Sequence, residues 1–132
     1  MKKILPILAI LIIILSSCSS DDDSSDNSSI QINPPNWIQG TWLIENSTTI
    51  GFHFTSNDVI VIQSGVEISQ RGQLELFSES GEGVSASEES TQNTYKLTSN
   101  FPAGQTTFYA FTKVSDTEIT WDAVNNSIFT KQ

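Results

Sequence analysis

The segment Thr49-Ile50-Gly51-Phe52-His53-Phe54-Thr55-Ser56-Asn57-Asp58-Val59-Ile60-Val61-Ile62 first alternates, then turns, then runs apolar. Side chains alternate across a strand, so Ile50, Phe52 and Phe54 share one face while Gly51, His53 and Thr55 share the other. Ser56-Asn57-Asp58 is turn chemistry. The β-branched run Val59 to Ile62 predicts a strand covered on both faces. Period two followed by a tight reversal is the pattern of an antiparallel sheet.

The same grammar extends in both directions. Upstream, Thr41 to Asn46 reads as a strand that starts from Gly40. Downstream, Ser64-Gly65 reverses the chain into Val66 to Gln70, and a strand over Leu74 to Phe77 follows Arg71-Gly72. The stretch from Ser78 to Thr94 breaks the pattern, since Val84 is its only sizeable apolar residue, and it predicts a long mobile loop. Strands return at Tyr95 to Thr98, Thr106 to Val114, Glu118 to Val124 and Ser127 to Lys131. Ser115-Asp116-Thr117 and Asn125-Asn126 suit hairpin turns, because Asn and Asp tolerate left-handed backbone. About eight short strands at hairpin spacing predict an all-β domain over residues 37–132. Its expected form is a small up-and-down antiparallel barrel, with a β-sandwich as the alternative.

Ahead of the domain the composition changes twice. Met1-Lys2-Lys3 precedes an apolar run from Ile4 to Leu15, and Leu15-Ser16-Ser17 leads to Cys18. A basic start, an apolar run of about a dozen residues and small residues before a cut describe a secretory signal peptide. The run falls short of the ~20 residues that a membrane-spanning helix needs. A cysteine after those small residues resembles the lipobox of bacterial lipoproteins, which implies cleavage after Ser17 and lipidation of Cys18. Cys18 is the only cysteine, so no intramolecular disulfide can form. Two or more acyl chains, each buried methylene contributing ~0.8 kcal/mol, would hold the mature chain stably to a membrane leaflet.

Residues 18–36 then read as an acidic Ser/Asp tether. From Ser19 to Ser29 there is no apolar side chain, so burial cannot offset the entropy of ordering. Ser19, Ser20, Asp21, Asp22 and Asp23, directly after the cysteine, resemble the surface-export signal of Bacteroidota lipoproteins. That resemblance implies an outer-membrane lipoprotein facing the cell exterior, the alternative being the periplasmic face.

Gly40-Thr41-Trp42 resembles the Gly-x-Trp signature that opens the first strand of lipocalins and other calycin barrels. The resemblance covers Trp37 to Lys131 and implies that Trp42 closes the narrow end of the barrel, with Gly40 permitting the tight approach to the strand. The family's arginine over that tryptophan has no direct counterpart, leaving Lys131 or Arg71 to substitute. The Thr-Asp-Tyr motif of the family is absent.

Charge and residue supply narrow the function. Without its first seventeen residues the chain keeps four basic side chains, Arg71, Lys96, Lys113 and Lys131, against fifteen acidic ones, a net charge of −11. Such a surface repels phosphate backbones and excludes nucleic-acid binding. His53 is the only histidine, no Gly-x-Ser-x-Gly turn presents a nucleophile, and zinc would want more His and Cys than the chain holds. Asp21 to Asp26 lacks the spacing of a calcium loop. No catalytic residue, metal or cofactor is therefore expected, and His53 is expected on the solvent face. Two classes of function remain. One is a carrier of a small apolar ligand walled by Phe52, Phe54, Phe108 and Tyr109. The other is an accessory or adhesion-type module that docks a protein or glycan at the cell surface.

Overall fold

A computed structural model describes residues 29–132, and the signal-peptide, Cys18 and Ser19–Asp23 readings lie outside the described residues. The described chain is all-β, with nine antiparallel strands and one short helix. The first four strands form a meander: β1 (Gly40–Ile44), β2 (Gly51–Phe54), β3 (Val59–Gln63) and β4 (Val66–Ser69). Helix α1 (Gln70–Ser78) follows, and a second meander runs through β5 (Ser85–Ser90), β6 (Thr94–Phe101), β7 (Gln105–Lys113), β8 (Glu118–Trp121) and β9 (Ile128–Lys131). β1 pairs with β9, which joins the two meanders into a single sheet with β4 and β5 at its edges.

The sheet curls on itself. In sheet order β2 and β7 are separated by β1, β9 and β8, yet the rings of Phe52 and Phe111 lie 4.8 Å apart, centroid to centroid. Phe54 meets Phe111 at 5.0 Å and Tyr95 of β6 at 6.1 Å. Edge-to-face pairs of this kind add about 0.5–1.5 kcal/mol each beyond burial. The curl does not close through hydrogen bonds, since β4 and β5 are unpaired with each other.

Helix α1 stands at that opening, where the sequence reading places a strand. Ser69 caps it, its hydroxyl accepting from the Gly72 amide at 2.8 Å. Asp58 accepts from both the Ser69 hydroxyl and the Arg71 amide, so the β2–β3 turn fixes the start of the helix. Gln, Arg, Leu and Glu are all good helix formers. Leu74 drops into the core while Leu76 stays exposed, which a helix allows and a covered strand would not.

Two further expectations change. The polar stretch expected to be a loop contains β5, which pairs with β6 from Ser85↔Asn100 to Ser90↔Tyr95. Its lack of apolar residues follows from its position as an edge strand whose inner row, Ala86 and Glu88, meets the chain's own start. Ile30 and Ile32, assigned to the tether, are buried in the core cluster, so the folded unit begins before Trp37. Burial alternates from Ile30 to Pro34, as in an extended strap. Both carboxylate oxygens of Glu88 accept from the Asn33 amide at 2.8 Å, and the Trp37 indole donates to the Thr91 carbonyl at 3.0 Å. The strap therefore lies along β5, with Ile30 beside Val84 and Ala86 and Trp37 beside the β5–β6 turn.

Because every connection but α1 is a hairpin, the turns alternate between two ends. The lower end carries the start of β1, the β2–β3 turn, the β5–β6 turn and the β7–β8 turn. The upper end carries the β1–β2, β3–β4, β6–β7 and β8–β9 turns, and α1 climbs from lower to upper.

Candidate functional site

Towards the lower end the interior is filled by Trp42, Ile38 and Phe54. Trp42 is fully buried in β1, and its indole donates to the Ile38 carbonyl at 2.6 Å. The Lys131 ammonium, on β9, sits 5.2 Å from the centre of that ring. Gly40 makes room for it. Its φ is +124°, and a Cβ there would lie 2.9 Å from the Lys131 Cε. Gly51, opposite Leu43, is equally constrained, because a Cβ would meet the Trp42 carbonyl oxygen at 2.1 Å.

The upper end is open. A cleft of about 380 Å³ is lined there by residues of β2, β3, β7, β8 and β9, within the size range of small-molecule sites. Phe52 forms its floor, and Tyr109 and Trp121 lie nearly parallel along one side, 17° between planes and 6.2 Å between centroids. From β3, Val61, which pairs with Phe52, and Ile62 also line it. No charged side chain lines the cleft. Burial pushes the Tyr109 phenol above its ordinary pKa, so it stays neutral across the physiological range. The Trp121 indole N–H is buried without a hydrogen-bond partner among the described residues.

Of the four expected wall residues, Phe52 and Tyr109 stand in the cleft. Phe54 does not. It is buried in the core against Tyr95 and Phe111, two residues nearer the lower end. Phe108 reaches the cleft only at its rim, since it pairs with Thr98 in the outward row of β7 and has the Lys96 ammonium 5.0 Å above its ring. Ile50 lies outside β2, which begins at Gly51, and stands half-exposed in the β1–β2 turn at the mouth of the cleft. His53 pairs with Thr41 and Ile60 and is half-buried, opposite in parity to Phe52 and Phe54. Trp121 and Phe129 are cleft residues that sequence reasoning missed. The alternation Ile119-Thr120-Trp121 could have placed Trp121 on the same face as buried Ile119.

A second groove, about 460 Å³, runs between the end of α1 and the β6–β7 turn, lined by Phe77, Phe101 and Pro102 among others. It shares Thr107 with the aromatic cleft, so the two adjoin across the upper end. Among the described residues no cluster of three or more His, Cys, Asp or Glu side chains is arranged to hold a metal ion. No family model, no curated protein and no solved structure matches this chain.

Proposed function

We propose that this chain is an outer-membrane lipoprotein, anchored through Cys18 and exported by Ser19 to Asp23, whose lipocalin-like domain holds a small apolar ligand without catalysis. The observation that carries the ligand reading is the uncharged aromatic cleft at the open end of the curled sheet, with Trp42 buried towards the other end. Phe52, Tyr109 and Trp121 offer flat apolar surfaces, and an apolar guest replaces water against them. The lipobox resemblance carries the anchor reading, and the tether would hold the domain at the cell exterior.

Native mass spectrometry of the protein extracted from its host membrane tests both parts. An acylated Cys18 and a retained small-molecule mass are expected, whereas an unmodified amino terminus removes the lipoprotein reading. For the cleft, the neutral dye N-phenyl-1-naphthylamine should brighten on binding. Tyr109→Ala should weaken that binding about tenfold while the domain stays folded. Equal binding by the variant would place the dye elsewhere and defeat the ligand reading.

A further inference from the structure

The large apolar side chains left exposed are not scattered. Of the eight among the described residues, Ile50, Val66, Leu76, Phe77, Phe108, Val124 and Ile128 stand in the upper half, and only Val114 in the β7–β8 turn stands at the lower end. Single exposed apolar residues are ordinary, but a contiguous set around an opening marks an interaction surface. The Phe77–Phe101–Pro102 groove adjoins the aromatic cleft through Thr107 and prolongs the opening beyond what one small molecule fills.

Charge is sorted the same way. Glu45, Glu67, Glu79, Glu82 and Asp122 surround the upper end, all exposed. None of the five has an ion-pair partner among the described residues. Three of the four described basic side chains are engaged in the lower half, Arg71 with Glu75, Lys113 with Asp116 and Lys131 over Trp42, while Lys96 pairs with Glu89 and reaches only the Phe108 part of the rim, 5.0 Å above its ring. An apolar rim ringed by unpaired carboxylates complements a surface that is apolar and positively charged.

We propose that the upper end is a docking face for a basic, apolar protein segment, laid across the rim and the Phe77 groove. The apolar residues supply contact area, and the carboxylates steer the approach and select against acidic partners. An anionic membrane surface would be repelled by the same carboxylates. This docking rests on the rim and does not depend on the small-ligand reading, which concerns the interior of the cleft.

The test uses residues 18–132 carrying Cys18→Ser, which keeps every described residue and removes the anchoring thiol. The probes are an amphipathic synthetic peptide of leucine and lysine, its leucine–glutamate counterpart, and phosphatidylcholine vesicles. The lysine peptide is expected to bind, and the double variant Val66→Ser with Phe77→Ser, which alters no charge, to weaken that binding about tenfold or more. Val114→Ser, at the opposite end, should bind as the parent does. Because Phe77 packs on Phe101 at 5.3 Å, a second rim variant, Val124→Ser with Ile128→Ser, guards against a loss that comes from misfolding. Equal binding by parent and both rim variants would mean attraction by net charge alone and overturn the proposal. Binding of the glutamate peptide as tightly would also overturn it. Rim-dependent binding to vesicles with none to the lysine peptide would reassign the face to a membrane.

Discussion

Lys131 and Gly40 show how one residue's chemistry depends on another's absence. A Cβ at Gly40 would press on the end of the lysine stem that reaches the Trp42 ring, and the glycine's φ of +124° is one that L-side chains rarely adopt. Gly40→Ala should therefore lower stability by about 1–3 kcal/mol, from backbone strain together with displacement of the lysine stem. Urea unfolding measures it, and an unchanged midpoint would show that the backbone relaxes freely. Lys131→Ala is milder, since it empties the space above the ring without straining the backbone. Phe52 is the opposite kind of residue. Its ring is in contact with those of Phe54, Tyr109, Phe111, Trp121 and Phe129, so it serves the core and the cleft floor together.

At the scale of elements, the strap and α1 explain how an unclosed sheet keeps water from its core. β4 and β5 leave an opening in the curl, and Leu74 from one side and Ile30 and Ile32 from the other are buried into the same cluster. Ile32 is 1% exposed, and truncating a fully buried isoleucine costs about 2–5 kcal/mol. Ile32→Ala should fall in that range by chemical denaturation, whereas Gln31→Ala, its exposed neighbour, should change little. Indistinguishable variants would mean that the strap lies on the surface and contributes no core. A domain cut to start at Trp37 would lose the strap entirely and should be less stable than one starting at Ser29.

For the whole molecule, the largest effect of alkaline pH acts through one buried network. Tyr95 is 1% exposed, and its phenol donates to Glu88 Oε1 at 2.6 Å while the same carboxylate holds the Asn33 amide. Burial, reinforced by the Glu88 hydrogen bond and its negative charge, pushes the Tyr95 pKa far above the phenol's ordinary value. A raised folded pKa means that the contribution is complete below the unfolded value, about 10, and is lost as pH rises beyond it. Stability should therefore fall above pH ~10, and Tyr95→Phe should flatten part of that fall. The buried Tyr109 phenol leaves a residual slope of the same sign. Urea midpoints on either side of that pH decide it, and identical slopes for parent and variant would exclude Tyr95 as the cause.

Local pattern was enough for the strands of both meanders and for most of their turns, because alternation and turn chemistry act over a few residues. Eight of the nine strands lie where period two and Asn, Asp, Ser or Gly punctuation place them, β5 being the exception. Local pattern was also enough for the shared face of Phe52 and Phe54, but it named the neighbours Phe108 and Tyr109 together although adjacent strand residues take opposite faces. It could not assign Leu74 to Phe77, where Leu-Glu-Leu-Phe alternates as a strand would and the deciding event is the cap that Ser69 and Asp58 build from a distant turn. Nor could it find β5, a polar segment without alternating apolar residues that pairs with β6 across a short turn and whose Glu88 contact to Asn33 is long-range. Phe54 and Phe52 look identical in sequence and both are buried in the core, yet only Phe52 also lines the cleft. Alternation thus fixes which face a side chain takes. How far the sheet curls, which edge the strap covers and which end stays open depend on contacts between residues far apart in the chain.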